Sequence, residues 1–270
     1  MYLDPRQAIG VFDSGVGGLT VAHAIAQILP DERLIYFGDT AHLPYGDKSK
    51  DSIIRYSKEI GRFFIEKKCK IILIACNSAS AVAYEEMSQE FEGQAMVLNV
   101  IDPVVSYLKD NYEKGKVGII GTKATINSKT YETRIQKECT GLVPVSLATP
   151  LFVPMIEEGF IFDNISNAII RAYLSNPSLT KIDALILACT HYPIIKNQIS
   201  KFFSFNVEIL DSAKIVAEEL KIILKEKHLL NPEPKRKNEF YVSDFTDHFE
   251  KIAKMFFEEK INLKKVNLWE

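Results

Sequence analysis

Residues 71–80, IILIACNSAS, and residues 184–193, ALILACTHYP, read almost alike. Each is an apolar run, then Ala, then a cysteine (Cys76 or Cys189), then a small amide or hydroxyl residue. A short apolar run without polar alternation is the pattern of a strand buried on both faces, as in a parallel sheet covered by helices. A weaker echo lies upstream of each, IGVFDSG at 9–15 and VGIIGTK at 117–123, both apolar with an early glycine. The chain therefore reads as two related α/β halves, each delivering one thiol from a strand end. A matched pair of thiols suits a reaction that treats the two faces of one carbon alike.

Outward from these stretches, short β-branched runs alternate with longer amphipathic segments. That predicts an α/β fold of two pseudo-symmetric domains, each with a mostly parallel sheet flanked by helices. Strands are expected at 8–12, 33–37, 70–75, 95–99, 116–120, 143–147, 183–188, 206–210 and 239–243. Helices are expected to begin near Gly17, Lys50, Ser78, Pro103, Ala124, Val153, Ser166, Tyr192, Ser212 and Thr246. Asp102-Pro103 places proline at a first helical position, and Asp211-Ser212 and Ser243-Asp244 offer capping oxygens. If the halves are separate domains, the chain crosses between them near residue 100 and again near 211. Residues 1–99 with 212–270 then form the first domain and 100–211 the second. The charged run NPEPKRKN (231–238) reads as a solvated turn.

A length of 270 residues suits one large domain or two medium ones. The chain is 47% hydrophobic and 25% charged, ordinary for a water-soluble globular protein. Its net charge of −2 gives no pull toward nucleic acid or an anionic membrane, so neither is expected as a partner. No apolar run approaches the roughly 18 residues of a membrane span. The start, MYLDPRQ, lacks the apolar stretch of a signal peptide, and a cytoplasmic location is expected. Four cysteines without tight spacing do not make a disulfide framework and are expected to be reduced.

Cys76 stands where open α/β sheets bind ligands, outside the carboxyl end of a strand. At a helix N-terminus its thiol is expected to ionise more readily than a free one. The competing reading is a buried cysteine packed as a small hydrophobe; the same context recurring at Cys189 favours chemistry. Asn77, Ser78 and Ser80 add a helix cap and donors. Cys189 precedes Thr190, His191 and Tyr192-Pro193, and a histidine two residues from a thiol can share its proton, unless it only caps or packs. Asp13, in DSGVGG (13–18), would lie beside Cys76 if the first and third strands are neighbours. It either assists that thiol or caps the next helix. The glycines let the backbone turn and present N–H groups to an anion. The dinucleotide spacing fails at Thr20, and DSGVGGLTV (13–21) has no Lys for a P-loop. In GDTAHLPYGDKS (38–49), Pro44-Tyr45-Gly46 is a turn, either purely structural or offering backbone and phenol to a carboxylate. Glu157, in LFVPMIEEGF (151–160), reads from sequence alone as a solvated helix residue.

Several chemistries are set aside. No CxxC is present for a redox dithiol or zinc ribbon. Val82 and Ile195 stand six positions after the two thiols, where a cysteine phosphatase loop needs Arg. Cys69 and Cys139 lack such contexts and are expected to be inert. His23, His42, His228 and His248 show no metal-ligand pairing, and no metal is expected.

Taken together, FDSGVGGLTV (12–21), GDTAHLPYG (38–46), ACNSASA (75–81), FVPMIEEG (152–159) and ACTHYP (188–193) resemble the cofactor-independent glutamate racemases of the aspartate/glutamate racemase superfamily. The motifs stand in the family's order, and the resemblance covers most of the chain. It implies that Cys76 acts on D-glutamate and Cys189 on L-glutamate from opposite faces of the α-carbon. Asp13 would assist Cys76, His191 would assist Cys189, and Glu157 matches a further assisting carboxylate. Ser14, Tyr45, Gly46, Asn77, Ser78 and Thr190, with Asp13 and His191, would hold the amino acid. Two residues depart from the family pattern: His42 stands where many members have Arg, and Ser78 where many have Thr. The resemblance also implies no cofactor, glutamate as the small-molecule partner, a homodimer, and supply of D-glutamate for peptidoglycan. Two other readings stay open: a relative acting on aspartate or another α-substituted acid, and a non-enzymatic amino-acid binder with idle thiols. Without a pyridoxal ring, fixed donors and exclusion of water must stabilise a carbanion-like transition state, which predicts a closed cleft between the halves.

Overall fold

The computed structural model describes residues 3–234, 237–246, 249–250, 253, 256–257 and 261–269. The first sheet takes β1 (Ala8–Asp13), β2 (Leu34–Gly38), β3 (Cys69–Ile74) and β4 (Met96–Asn99), joined through α1 (Leu19–Ile28), α2 (Lys50–Glu66) and α3 (Asn77–Glu90). After α4 (Ile101–Asn111) the second sheet takes β5 (Gly115–Gly121), β6 (Leu142–Ala148), β7 (Ala184–Ala188) and β8 (Glu208–Asp211). Its helices are α5 (Lys123–Asn127), α6 (Thr130–Glu138), α7 (Phe152–Glu157), α8 (Asn164–Leu174) and α9 (Lys196–Phe202). Helix α10 (Ser212–Glu226) returns the chain to the first sheet, which β9 (Glu239–Val242) and β10 (Leu263–Lys265) extend. The spatial orders are β10-β9-β2-β1-β3-β4 and β6-β5-β7-β8, and every described pairing is parallel.

The apolar runs explain this arrangement because both faces of the central strands are covered. In β3, Ile71 and Leu73 enter one core while Ile72 and Ile74 enter another on the opposite face. In β7, Leu185 and Leu187 share the first of these cores, and Ala184 and Ile186 face a third. The shared core runs from β1 and β2 through α1 and α10 to β7, so one apolar mass joins the two sheets. Each Ile or Leu buried in it contributes about 1.5–3 kcal/mol relative to exposure. The sheets are thereby held at a fixed separation, and their carboxyl ends face a common cleft.

Local chemistry moves some expected boundaries. Helix α4 begins at Ile101 rather than Pro103, because Asn99 Oδ1 accepts the N–H groups of Ile101 and Asp102. Pro103 then lies within the first turn, where no intrahelical N–H is needed. Asp211 caps α10 as expected, accepting the N–H of Ala213 at 3.0 Å. Among the described residues the Ser243 hydroxyl goes to Asp39 and the Asp244 carboxylate to Lys265, while Thr246 Oγ1 accepts the N–H of Phe249. The helix expected from Ala124 breaks into α5 and α6 at Lys129, whose φ is 57°. The helix expected near Tyr192 opens as a 3₁₀ turn, Tyr192–Ile195, before α9. Strand β10 was not anticipated; it has three residues and an exposed Lys264 and Lys265, the polar make-up of a protected edge. His248, Lys235-Arg236 of the charged run and much of the helix expected from Thr246 lie outside the described residues. Among the described residues no helix is long and apolar enough to cross a membrane.

Candidate active site

Parallel strands release their side chains at a common end, and the register decides which meet. β1 and β3 are neighbours with Phe12 opposite Ile74, so Asp13 and Ser14 emerge beside Cys76. In the other sheet β5 and β7 are neighbours with Gly121 opposite Ala188, so Thr122 emerges beside Cys189. The two sheets thus repeat one device, a hydroxyl residue from one strand end beside a thiol from the next. Both cysteines line a single cavity with about 410 Å³ of empty space counted to its mouth. Ser14, Tyr45, Gly46, Asn77, Ser78, Glu157, Thr190 and His191 line it too. Larger grooves of about 860 and 1060 Å³ lie along α4 and α10, but neither contains a thiol; chemistry rather than size selects the site.

The surroundings of the thiols differ. Cys76 is 5% exposed and caps the N-terminus of α3 in extended conformation. Burial, reinforced by the Asp13 carboxylate, pushes its thiol up to about 12, against hydrogen bonds from Ala79 and Ser14. The expected lowering by the helix end is therefore overturned: lost hydration and a neighbouring negative charge outweigh it. Asp13 itself is fully buried, behind the residues that line the cavity. Its carboxylate accepts the Gly15 N–H at 3.1 Å and the Thr190 hydroxyl at 3.3 Å. Burial raises its pKa, with the charge of His191 countering.

Beside Cys189 the partner is a cation. His191 Nδ1 lies 3.9 Å from Cys189 Sγ, and Nε2 lies 3.0 Å from Glu157 Oε1. Burial by itself would lower the imidazole, but the hydrogen bonds to Cys189 and Glu157 reverse this and raise it to about 10. Glu157 is thus no solvated helix residue; it holds the far nitrogen of a buried ring. These shifts set the sign of an alkaline effect on stability. His191 binds its proton more tightly folded than at its ordinary 6.5, so its contribution is complete below about 6.5 and lost as pH rises through about 10. Cys76 acts in the same direction from its ordinary 9.0 toward about 12, because only the unfolded thiol ionises there. The melting temperature is expected to fall between about pH 7 and pH 10, and His191→Asn to flatten that slope; an unchanged slope would contradict the protonated His191.

Polar groups for a ligand converge opposite. Asn77 is 2% exposed, its Oδ1 accepts the Tyr131 hydroxyl at 2.8 Å, and its Nδ2 is buried without a partner among the described residues. A buried unpaired donor costs about 1–3 kcal/mol, and a helix N-terminus is a setting that suits an anion. Ser78 Oγ shares hydrogen bonds with Thr122 at 2.9 Å and Thr125 at 3.3 Å, joining the sheets across the cleft. Tyr45 does not offer its phenol outward: the hydroxyl donates to Asp39 at 2.6 Å, so this residue and Gly46 form wall. Thr122, Tyr131 and Tyr36, whose hydroxyl donates to the Gly15 carbonyl at 2.7 Å, were not anticipated. Thr122 had a signal, since it takes the place of Ser14 in the echo between 9–15 and 117–123. Tyr131 had none. Tyr131→Phe releases the Asn77 amide and is expected to raise KM about fivefold, equivalent to about 1 kcal/mol, with kcat little changed; an unchanged KM would remove Tyr131 from the site.

One approach across the cleft is closest at Gly17. A Cβ there would lie 2.5 Å from the His191 ring and 2.7 Å from Thr190 Oγ1. This glycine serves contact rather than a turn, as its φ is not positive.

Residues 10–220 match the Asp/Glu/hydantoin racemase family model. The glutamate racemase of Geobacter metallireducens is 40% identical over 258 residues, covering 95% of each chain. That of Aquifex aeolicus is 39% identical over 256 residues, covering 95% of this chain and 96% of the other. The crystal structure of glutamate racemase from Francisella tularensis in complex with D-glutamate superposes with a TM-score of 0.92 at 38% identity, covering 98% of this chain and 99% of that one. Fold, motifs and relatives agree, and the chain belongs to the aspartate/glutamate/hydantoin racemase family.

Proposed function

We propose that the protein interconverts L- and D-glutamate by proton transfer between two thiols. One observation carries the reading: Cys76 and Cys189 leave equivalent strand ends of two sheets and open into one cavity. The relatives of similar length and fold support glutamate as the substrate. From L-glutamate, the Cys189 thiolate takes the α-proton, breaking C–H and forming S–H, and the Cys76 thiol gives its proton to the opposite face. The product is D-glutamate, with Cys76 left as thiolate and Cys189 as thiol; the reverse reaction runs from that state. Burial and the Asp13 carboxylate favour the protonated form of Cys76, the form that donates in the L-to-D direction. His191, kept cationic with Glu157 behind it, neutralises charge beside Cys189. Asn77 Nδ2 and the N-terminus of α3 stabilise negative charge on the substrate, and Asp13 acts on Cys76 through the field rather than by contact with substrate.

Residues 1–99 with 212–270 and residues 100–211 act in this reading as two lobes around the substrate; the membership of the two sheets supports that division. Supply of D-glutamate for peptidoglycan, a cytoplasmic location and a homodimer accompany the reading as implications of the family. The test is incubation with L-glutamate in deuterated water, following optical activity and deuterium at the α-carbon. Deuterium in the inverted product is the expected result. Saturable binding with neither exchange nor inversion would leave an amino-acid binder instead.

A further inference from the structure

His42 is absorbed into none of the chemistry above. Its place is between the active-site loop and the end of the chain. The loop of residues 38–49 supplies Tyr45 and Gly46 to the cavity wall. Behind that wall, the Asp39 carboxylate is fully buried and receives the Tyr45 hydroxyl at 2.6 Å, the Ser243 hydroxyl at 2.7 Å and His42 Nδ1 at 2.9 Å. A carboxylate accepts, so Nδ1 carries the proton in this arrangement. The His42 ring stacks on Tyr56 with centroids 4.1 Å apart and planes at 20°. Trp269, the single tryptophan of the chain, packs against the side of this stacked pair: its ring meets His42 edge-on at 4.6 Å and Tyr56 edge-on at 5.3 Å.

The tail that carries Trp269 is anchored where it can act on this loop. Val266 N–H donates to the Val242 carbonyl at 2.9 Å, continuing the edge pairing of β10 with β9. One residue beyond Val242, Ser243 Oγ also accepts the Ala41 N–H at 2.8 Å. The carboxyl-terminal segment thus grips the loop twice, at Ala41 and Asp39 through Ser243 and at His42 through Trp269.

We propose that Trp269 and His42 are positioning residues, through which the chain's tail clamps Asp39 and so holds the Tyr45–Gly46 wall of the active site against the substrate. The substrate part rests on the functional reading above. Neither residue touches the cavity, and the thiols lie on other segments, so the clamp affects binding in ground and transition states alike. Such uniform binding appears in KM and not in kcat.

The experiment compares Trp269→Ala, Trp269→Phe, His42→Ala and the double alanine variant, each checked by circular dichroism for an unchanged fold. Trp269→Ala is expected to raise KM for both glutamate enantiomers about five- to fiftyfold with kcat within about threefold. Trp269→Phe keeps an aromatic edge and restores KM to within about twofold. The double variant is expected to lose little more than Trp269→Ala, because both residues act in one chain of contacts. A second readout needs no substrate: iodoacetamide alkylation of Cys76, which is 5% exposed, should quicken several-fold in Trp269→Ala and His42→Ala. The clamp is overturned if KM and alkylation both stay within twofold of wild type in these variants, or if kcat falls at unchanged KM. Should the wild-type protein invert no glutamate, the functional reading falls by itself, and the alkylation rates alone decide the clamp.

Discussion

Cys76→Ser and Cys189→Ser each lower kcat/KM for glutamate inversion by about 10²–10⁴-fold, the range over which a positioned acid or base contributes. Serine preserves shape but holds its proton far more tightly than a thiol, so neither abstraction nor return runs on that face. The loss has to be the same in the two directions when expressed as kcat/KM. Mirror-image substrates have equal free energy, and the equilibrium constant of one fixes the ratio. The unlike settings of the thiols instead separate kcat and KM between the enantiomers: Cys76 sits buried beside the Asp13 carboxylate, and Cys189 beside the His191–Glu157 pair. The measurement is polarimetry from each pure enantiomer, with the deuterium content of the product. Racemisation retained within tenfold in either variant would refute transfer between two thiols, whatever the cavity geometry.

Gly17→Ala is expected to reduce kcat/KM about 10²-fold although it adds a single methyl group. That methyl would lie 2.5 Å from His191 and 2.7 Å from Thr190, closer than carbon contacts allow. The imidazole has no free direction in which to yield. It is 5% exposed, held at Nε2 by Glu157, set against Cys189 at Nδ1, and packed edge-on by Phe256 at 5.4 Å. Thr190 is held by Asp13, and its carbonyl accepts the Thr20 hydroxyl at 3.2 Å. The strain must therefore move one sheet's loop away from the other's, and a displacement near 1 Å at a reacting centre costs about two orders of magnitude. Steady-state kinetics with a thermal melt separates this from unfolding: the variant should remain folded and bind glutamate weakly. A loss below threefold would show that the cleft has slack and that His191 is not fixed by the opposing loop.

The strands were legible because their function is burial. IILIA and ALILA carry apolar residues on both faces, which only a parallel sheet with helices on each side accommodates. The cysteines were legible because their context occurs twice. The local pattern around Glu157 was mute, and only the family resemblance singled it out, since an acid in an amphipathic helix has the same pattern whether it faces water or a histidine 34 positions away. Tyr131 and Trp269 left no trace for the same reason: an aromatic residue's partner is set by packing, not by spacing. The Cys76 expectation failed in energetics rather than placement. A helix end favours the thiolate, but burial and Asp13 act more strongly, and neither magnitude can be read along a chain.

By itself, then, the amino-acid order determined two kindred α/β halves and a thiol at the end of a strand in each, because hydrophobic periodicity and repeated motifs are local properties. Only the tertiary structure decided that both thiols share one cavity, that Asp13 lies behind its wall, and that the far end of the chain braces the loop at its rim. Those are distances between segments remote in sequence, set by how the sheets pack around their common core, and desolvation and charge act through such distances alone.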